Sequence, residues 1–204
     1  MKILKIVLIL AALAITAAAA LVGSGVYNVA ADEPHWPLTY KLMESVRERS
    51  IAVRARRIEV PAGLDHPDRV RRGAGNYDAM CVGCHLKPGM QESEIRKGLY
   101  PQPPNLAEPS SSAAAARFWV IKHGMKMSAM PAWGAAGVDD ETIWNIVALL
   151  QKLPGMSADE YKLLVSASEG HSHARAQAVP GGDGPRHAPG ARDDHEHGDQ
   201  HPHK

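Results

Sequence analysis

Residues 81–85 read Cys81-Val82-Gly83-Cys84-His85, and this stretch decides how the rest of the chain is read. The two cysteines are the only ones among 204 residues. Lying three positions apart, they do not describe a disulfide framework, which uses well-separated pairs. Two thiols with two residues between them can each reach one vinyl group on a haem edge and form a thioether. The next residue, His85, then stands close enough to the iron to supply the proximal nitrogen. A zinc knuckle would need a second ligand pair at similar spacing, and the chain has no further cysteine. A thioredoxin-like redox pair would follow a strand in a βαβ pattern, and no strand-like alternation is evident.

Working outward, the flanks read as helices. Asp65 or His66 can cap a helix that has Pro67 in its first turn and runs through Val70 and Tyr77 to the cysteines. A loop rich in Pro and Gly follows from Lys87 to Pro109. After Ser110-Ser111-Ser112, an alanine run ending in Phe118, Trp119, Val120 and Ile121 predicts a second helix, which Gly124 is placed to stop. Asp139-Asp140-Glu141 suits the start of a third. Its apolar stripe is Ile143, Ile146, Val147, Leu150 and Leu153, and Pro154-Gly155 ends it. Residues 65–166 are thus expected to form one all-α domain. With a single Phe in the whole chain, its core would be thin unless a buried cofactor filled it.

The second axial ligand of such a haem should be a thioether or another imidazole. Met90, His123, Met125, Met127, Met130 and Met156 all lie downstream. Met130 precedes Pro131, which biases it toward extended backbone and suits a loop residue reaching inward. Met127 is its main rival, since spacing alone does not separate the two. Any one Met could instead be a flexible core filler.

With these residues stated, the stretch from 65 to about 165 resembles a class I cytochrome c of the membrane-anchored, monohaem proteobacterial kind. The likeness rests on Cys81, Cys84 and His85, on Met130-Pro131-Ala132-Trp133, and on Gly73 with Tyr77 four residues later. It implies a small all-α fold of three to five helices wrapped around one covalently bound haem c, with His85 and Met130 on the iron. Pro104 of Pro104-Asn105-Leu106 would accept the other N–H of His85 and fix its tautomer. Leu149 or Leu150 stands where many relatives carry an aromatic, which predicts a looser contact with the last helix. With both axial positions filled, the resemblance implies a single-electron carrier and not an enzyme. Its partners would be a dehydrogenase or quinol-oxidising complex as donor, and an oxidase or reductase as acceptor.

The remaining segments place this domain. In residues 1–31, Lys2 and Lys5 precede an apolar run from Ile6 to Val22, long enough for an uncleaved anchor. Val29-Ala30-Ala31 would serve a signal peptidase, giving a soluble periplasmic protein. The retained anchor is the favoured reading, with Asp32-Glu33 outside and the N-terminus inside. Residues 32–64 read as a connector. Leu42, Met43, Val46 and Val53 recur there among arginines, as a helix along anionic headgroups or, given the weak apolar face, a solvated spacer. Residues 167–204 are dominated by Gly, Pro, Asp and His and are expected to be disordered. Seven of the eleven histidines fall there, from His171 to His203. They would bind Cu, Zn or Ni loosely, and a metal-handling or sensing role is the competing function. Lys+Arg 23 against Asp+Glu 22 argues against nucleic acid as a partner.

Overall fold

The computed structural model describes residues 2–170. The histidine-rich tail beyond them, with its expected disorder and metal binding, lies outside the described residues. Eight helices and no strand occur among those described. They are α1 Lys2–Ser24, α2 Pro37–Ala55, α3 Pro67–Met80, α4 Val82–His85, α5 Glu94–Lys97, α6 Ala114–His123, α7 Asp140–Lys152 and α8 Ala158–Ser166.

α1 is apolar beyond Lys2 and Lys5 and buries nothing. Its most apolar 18-residue stretch has a mean hydropathy of 2.7, and its 23 residues extend roughly 35 Å at 1.5 Å per residue, enough to cross a hydrocarbon core of about 30 Å.

α3, α6 and α7 form the core, and the contact of α3 with α7 is the most extensive in the fold. Local signals mark the starts of α3 and α7 and the end of α6 where expected. His66 accepts from the Asp68 N–H at the start of α3, with Pro67 in its first turn. Asp139 accepts from the Thr142 N–H at 2.7 Å at the start of α7. Gly124 stops α6 with φ 63°, a left-handed conformation that favours glycine. α7 is buried from Thr142 to Leu150 because neighbours cover it on several sides. Two cations from α6 secure its ends: Lys122 pairs with Asp140 at 2.7 Å, and Arg117 donates to the Leu150 carbonyl at 2.7 Å. The first opposes the acidic N-terminal turn, and the second satisfies a carbonyl at the negative end of the helix dipole.

The expected looseness beside Leu149 and Leu150 is not found. Both leucines are buried, and α3 approaches α7 so closely at Gly73 that a Cβ there would fall on the Asn145 carbonyl. The missing aromatic arrives from α8 instead. Tyr161 meets Tyr77 edge to face at 6.4 Å between ring centroids and donates to Asp78 Oδ1 at 3.0 Å. Phe118 of α6 and Trp144 of α7 stack at 4.2 Å, adding a second aromatic contact to the core.

α2 is longer than the connector pattern suggested. Pro37 occupies its first turn, and the helix packs one face on α6. Arg54 lies over the Trp119 ring at 5.8 Å, Ala55 is buried, Leu64 belongs to the core cluster, and Ile58 packs against it half-buried. The connector is therefore half docked rather than fully solvated.

Candidate functional site

The attachment motif occupies the end of α3 and the single turn α4. Cys81 is buried, Cys84 is half-buried, and the two thiols are free. Burial, with Cys84 alongside as the lesser cause, pushes the Cys81 thiol up to about 12. It is therefore a neutral thiol at pH 7. A disulfide-exchange nucleophile has the opposite property, a depressed pKa with a thiolate ready to attack.

His85 is held at both ends by one loop. Its Nδ1 lies 2.9 Å from the Pro104 carbonyl oxygen, which can only accept, so Nδ1 carries the proton. Its own carbonyl accepts from the Leu106 N–H at 3.1 Å. Burial lowers the His85 pKa, with the Pro104 bond opposing and Arg96 adding to the fall. The result is a neutral imidazole whose Nε2 lone pair is left for a metal. Arg96 steadies the same loop, with Nε donating to the Pro103 carbonyl at 3.1 Å.

The backbone just after His85 is strained. Leu86 has φ 62° and ψ −179°, a region occupied almost only by glycine and costing about 1–3 kcal/mol. Two contacts hold it there. The Leu86 side chain is 1% exposed, and the Tyr77 hydroxyl donates to the Leu86 carbonyl at 2.7 Å. Neither Leu86 nor Asp78, which also takes Lys87 at 3.1 Å, was singled out from sequence. α8 was not anticipated either, although Ser157-Ala158-Asp159-Glu160 is a capping box ahead of Tyr161. Tyr77→Phe should leave the strained Leu86 carbonyl without its donor and cost about 1–3 kcal/mol. Urea titration of the haem-loaded protein measures this, and an unchanged midpoint would contradict the role given to the hydroxyl.

The loop after α6 carries the methionines. It folds back on that helix, with Trp133 N–H on the Ile121 carbonyl at 3.2 Å and Gly134 N–H on Lys122 at 3.0 Å. Met130 is half-buried and packs against the core. Its N–H donates to Ser128 Oγ at 3.2 Å, and its carbonyl accepts from Met125 N–H at 3.1 Å. Met127 is 82% exposed, at φ 57°. His123 ends α6 and is exposed.

These residues suit a covalent haem. The chain presents two unpaired thiols, a neutral imidazole with Nε2 free, and a thioether on a loop against the same core. Met80, Met90, Leu106, Met130 and Trp133 border that core only partly buried, apolar surface that a flat apolar ring system would cover. A cavity of about 690 Å3 opens on the other side of the His85 loop, lined mainly by polar residues from Gln91 to Ser112, and none of Cys81, Cys84, His85 or Met130 lines it.

The family model described as cytochrome c oxidase, cbb3-type, subunit III matches residues 68–150. Those residues are a monohaem class I cytochrome c domain. The family implies covalently bound haem c and electron transfer as the function. No curated protein and no solved structure matches the chain. Among the lysines of this domain, Lys87 and Lys122 are engaged in ion pairs, while Lys97 and Lys126 are exposed.

Proposed function

We propose that this chain is a membrane-anchored, single-electron carrier. In this reading Cys81 and Cys84 hold the haem covalently, and His85 and Met130 ligate its iron. The observation that carries it is the double grip of residues 104–106 on His85, which fixes its tautomer and leaves Nε2 as a donor on the residue that follows the free Cys84. Haem c, when bound, supplies reversible one-electron chemistry at its iron. The chain's own residues do the tuning. The Pro104 carbonyl keeps His85 in the Nδ1–H tautomer and strengthens it as a ligand. Thioether sulfur from Met130 favours ferrous iron and raises the potential relative to two nitrogen ligands. Half-burial of Met130 against the core supports it over the exposed Met127.

Residues 65–166 are the cytochrome domain in this reading, and α1 is a retained anchor that leaves the domain on the periplasmic side of the inner membrane. Retention is supported by Tyr27, which packs edge to face on Trp36 at 5.0 Å. Cleavage after Ala31 would remove that contact. The oxidase named in the matching family model supports an electron-accepting or electron-donating partner of the respiratory kind.

Visible spectroscopy of Met130→Ala and Met127→Ala, matured in a haem-attaching host, tests the ligand set. The weak charge-transfer band of sulfur bound to ferric haem is expected to persist in Met127→Ala and vanish in Met130→Ala, with a lower reduction potential. A band that survives Met130→Ala would refute the assignment and put another thioether on the iron, whereas a wild type without the band would have no sulfur ligand and a sixth position available to gas binding.

A further inference from the structure

The connector helix has two faces of opposite fate. Tyr40, Glu44, Arg47, Ile51 and Ala55 form one line at helical spacing, and all are half-buried or buried on the side toward the domain. Nearly opposite run Leu38, Leu42, Val46 and Val53, which are 80%, 61%, 57% and 40% exposed. Arg49 and Arg56 fall within that outward strip. An aliphatic ridge set with arginines, on a helix already docked by its other face, is more than a spacer requires.

The position of this helix relative to α1 indicates what the ridge meets. Tyr27 stands three residues beyond Ser24, so at most about 11 Å of extended chain separates it from the end of α1. Trp36, the residue before α2, packs on Tyr27. His35 joins them, with Nδ1 2.8 Å from the Tyr27 hydroxyl and its ring edge to face with Tyr100 at 5.1 Å. The His35 N–H donates to the Tyr100 hydroxyl at 3.1 Å, tying the cluster to the loop that continues to Pro104. The start of α2 is thereby brought close to the end of α1. Amphipathic Tyr and Trp rings favour the headgroup level of a bilayer. Charge points the same way. Residues 37–57 carry six basic side chains and two acidic ones, whereas residues 66–166 carry 11 and 10.

We propose that α2 is a membrane-surface seat: its Leu38, Leu42, Val46 and Val53 ridge rests among anionic phospholipid headgroups, with Arg49 and Arg56 on the phosphates. The cytochrome domain, packed on the other face of α2, is then held against the bilayer instead of swinging on a loose tether. An apolar face joined to basic residues is the composition that binds anionic interfaces. The proposal rests on the reading of α1 as a retained anchor.

The test uses the haem-loaded full chain in lipid nanodiscs, spin-labelled at Leu42→Cys. Leu13→Cys in α1 and Lys162→Cys on the exposed side of α8 serve as references. Accessibility is measured to oxygen, which concentrates in lipid, and to a water-soluble nickel chelate. In discs containing phosphatidylglycerol, the Leu42 label is expected to be several-fold more shielded from the chelate than the Lys162 label. In phosphatidylcholine alone that shielding should fall. If the Leu42 label is as open to the chelate as Lys162 while Leu13 is embedded, the seat is wrong and the anchor stands. Shielding indifferent to lipid charge would also overturn the proposal. A Leu13 label open to the chelate would bring down the anchor reading and the seat with it.

Discussion

Gly73→Val is expected to destabilise the cytochrome domain by about 3 kcal/mol or more, a large part of the roughly 5–15 kcal/mol that holds a domain folded. Two effects compete. Replacing glycine within a helix gains about 0.5–1 kcal/mol for alanine and only about a few tenths for β-branched valine. Against this, a Cβ at position 73 would fall on the Asn145 carbonyl oxygen and come within 2.6 Å of its carbon and 3.1 Å of Ile146 N. These are backbone atoms in the middle of α7, so they cannot turn aside as the tip of a side chain can. Relief requires α3 and α7 to separate, which opens the contact that buries Ile143, Ile146 and Val147. The clash therefore outweighs the propensity. Thermal or urea unfolding measures the effect, with Ala79→Val, on the exposed side of the same helix, expected to stay within about 0.5 kcal/mol. Equal stability of Gly73→Val and wild type would show that the two helices do not meet as described.

The second large effect concerns attachment. Cys81→Ala combined with Cys84→Ala should reduce covalently bound haem to background, read as haem stain on a denaturing gel. Either single variant should keep one thioether. The double variant should also melt at lower temperature, because a group that binds only the folded state adds to its stability. Here the group would also cover apolar side chains that the protein leaves half-exposed, among them Met90, Leu106 and Met130. Undiminished stain in the double variant would remove Cys81 and Cys84 from the attachment.

Much of this was legible along the chain because the signals are local. His66 with Pro67, Asp139, and Gly124 mark helix ends through bonds to residues two to four positions away. The pairing of His85 with Pro104 was not written in local spacing and came from the family resemblance; the two lie 19 residues apart in the chain, 2.9 Å from Nδ1 to the carbonyl oxygen. α8 carried a readable capping signal, but its purpose did not show. Tyr161 lies 84 residues from Tyr77 in the chain, and only packing brings the rings together. The strain at Leu86 was equally hidden, since no residue type announces it; it exists because Tyr77 and the core hold the backbone there.

The sequence by itself determined the chemistry: two thiols and an imidazole at the spacing a haem edge requires, an apolar segment of membrane length, and the helices between. These follow from covalent spacing and periodicity, which any stretch of chain displays on its own. Which methionine is half-buried and which exposed, which aromatic completes the core, and which face of α2 is left outward were decided only by the tertiary structure. The physical reason is that burial depends on where the other helices lie, and those positions are set by close contacts such as Gly73 on Asn145, between residues far apart in the chain.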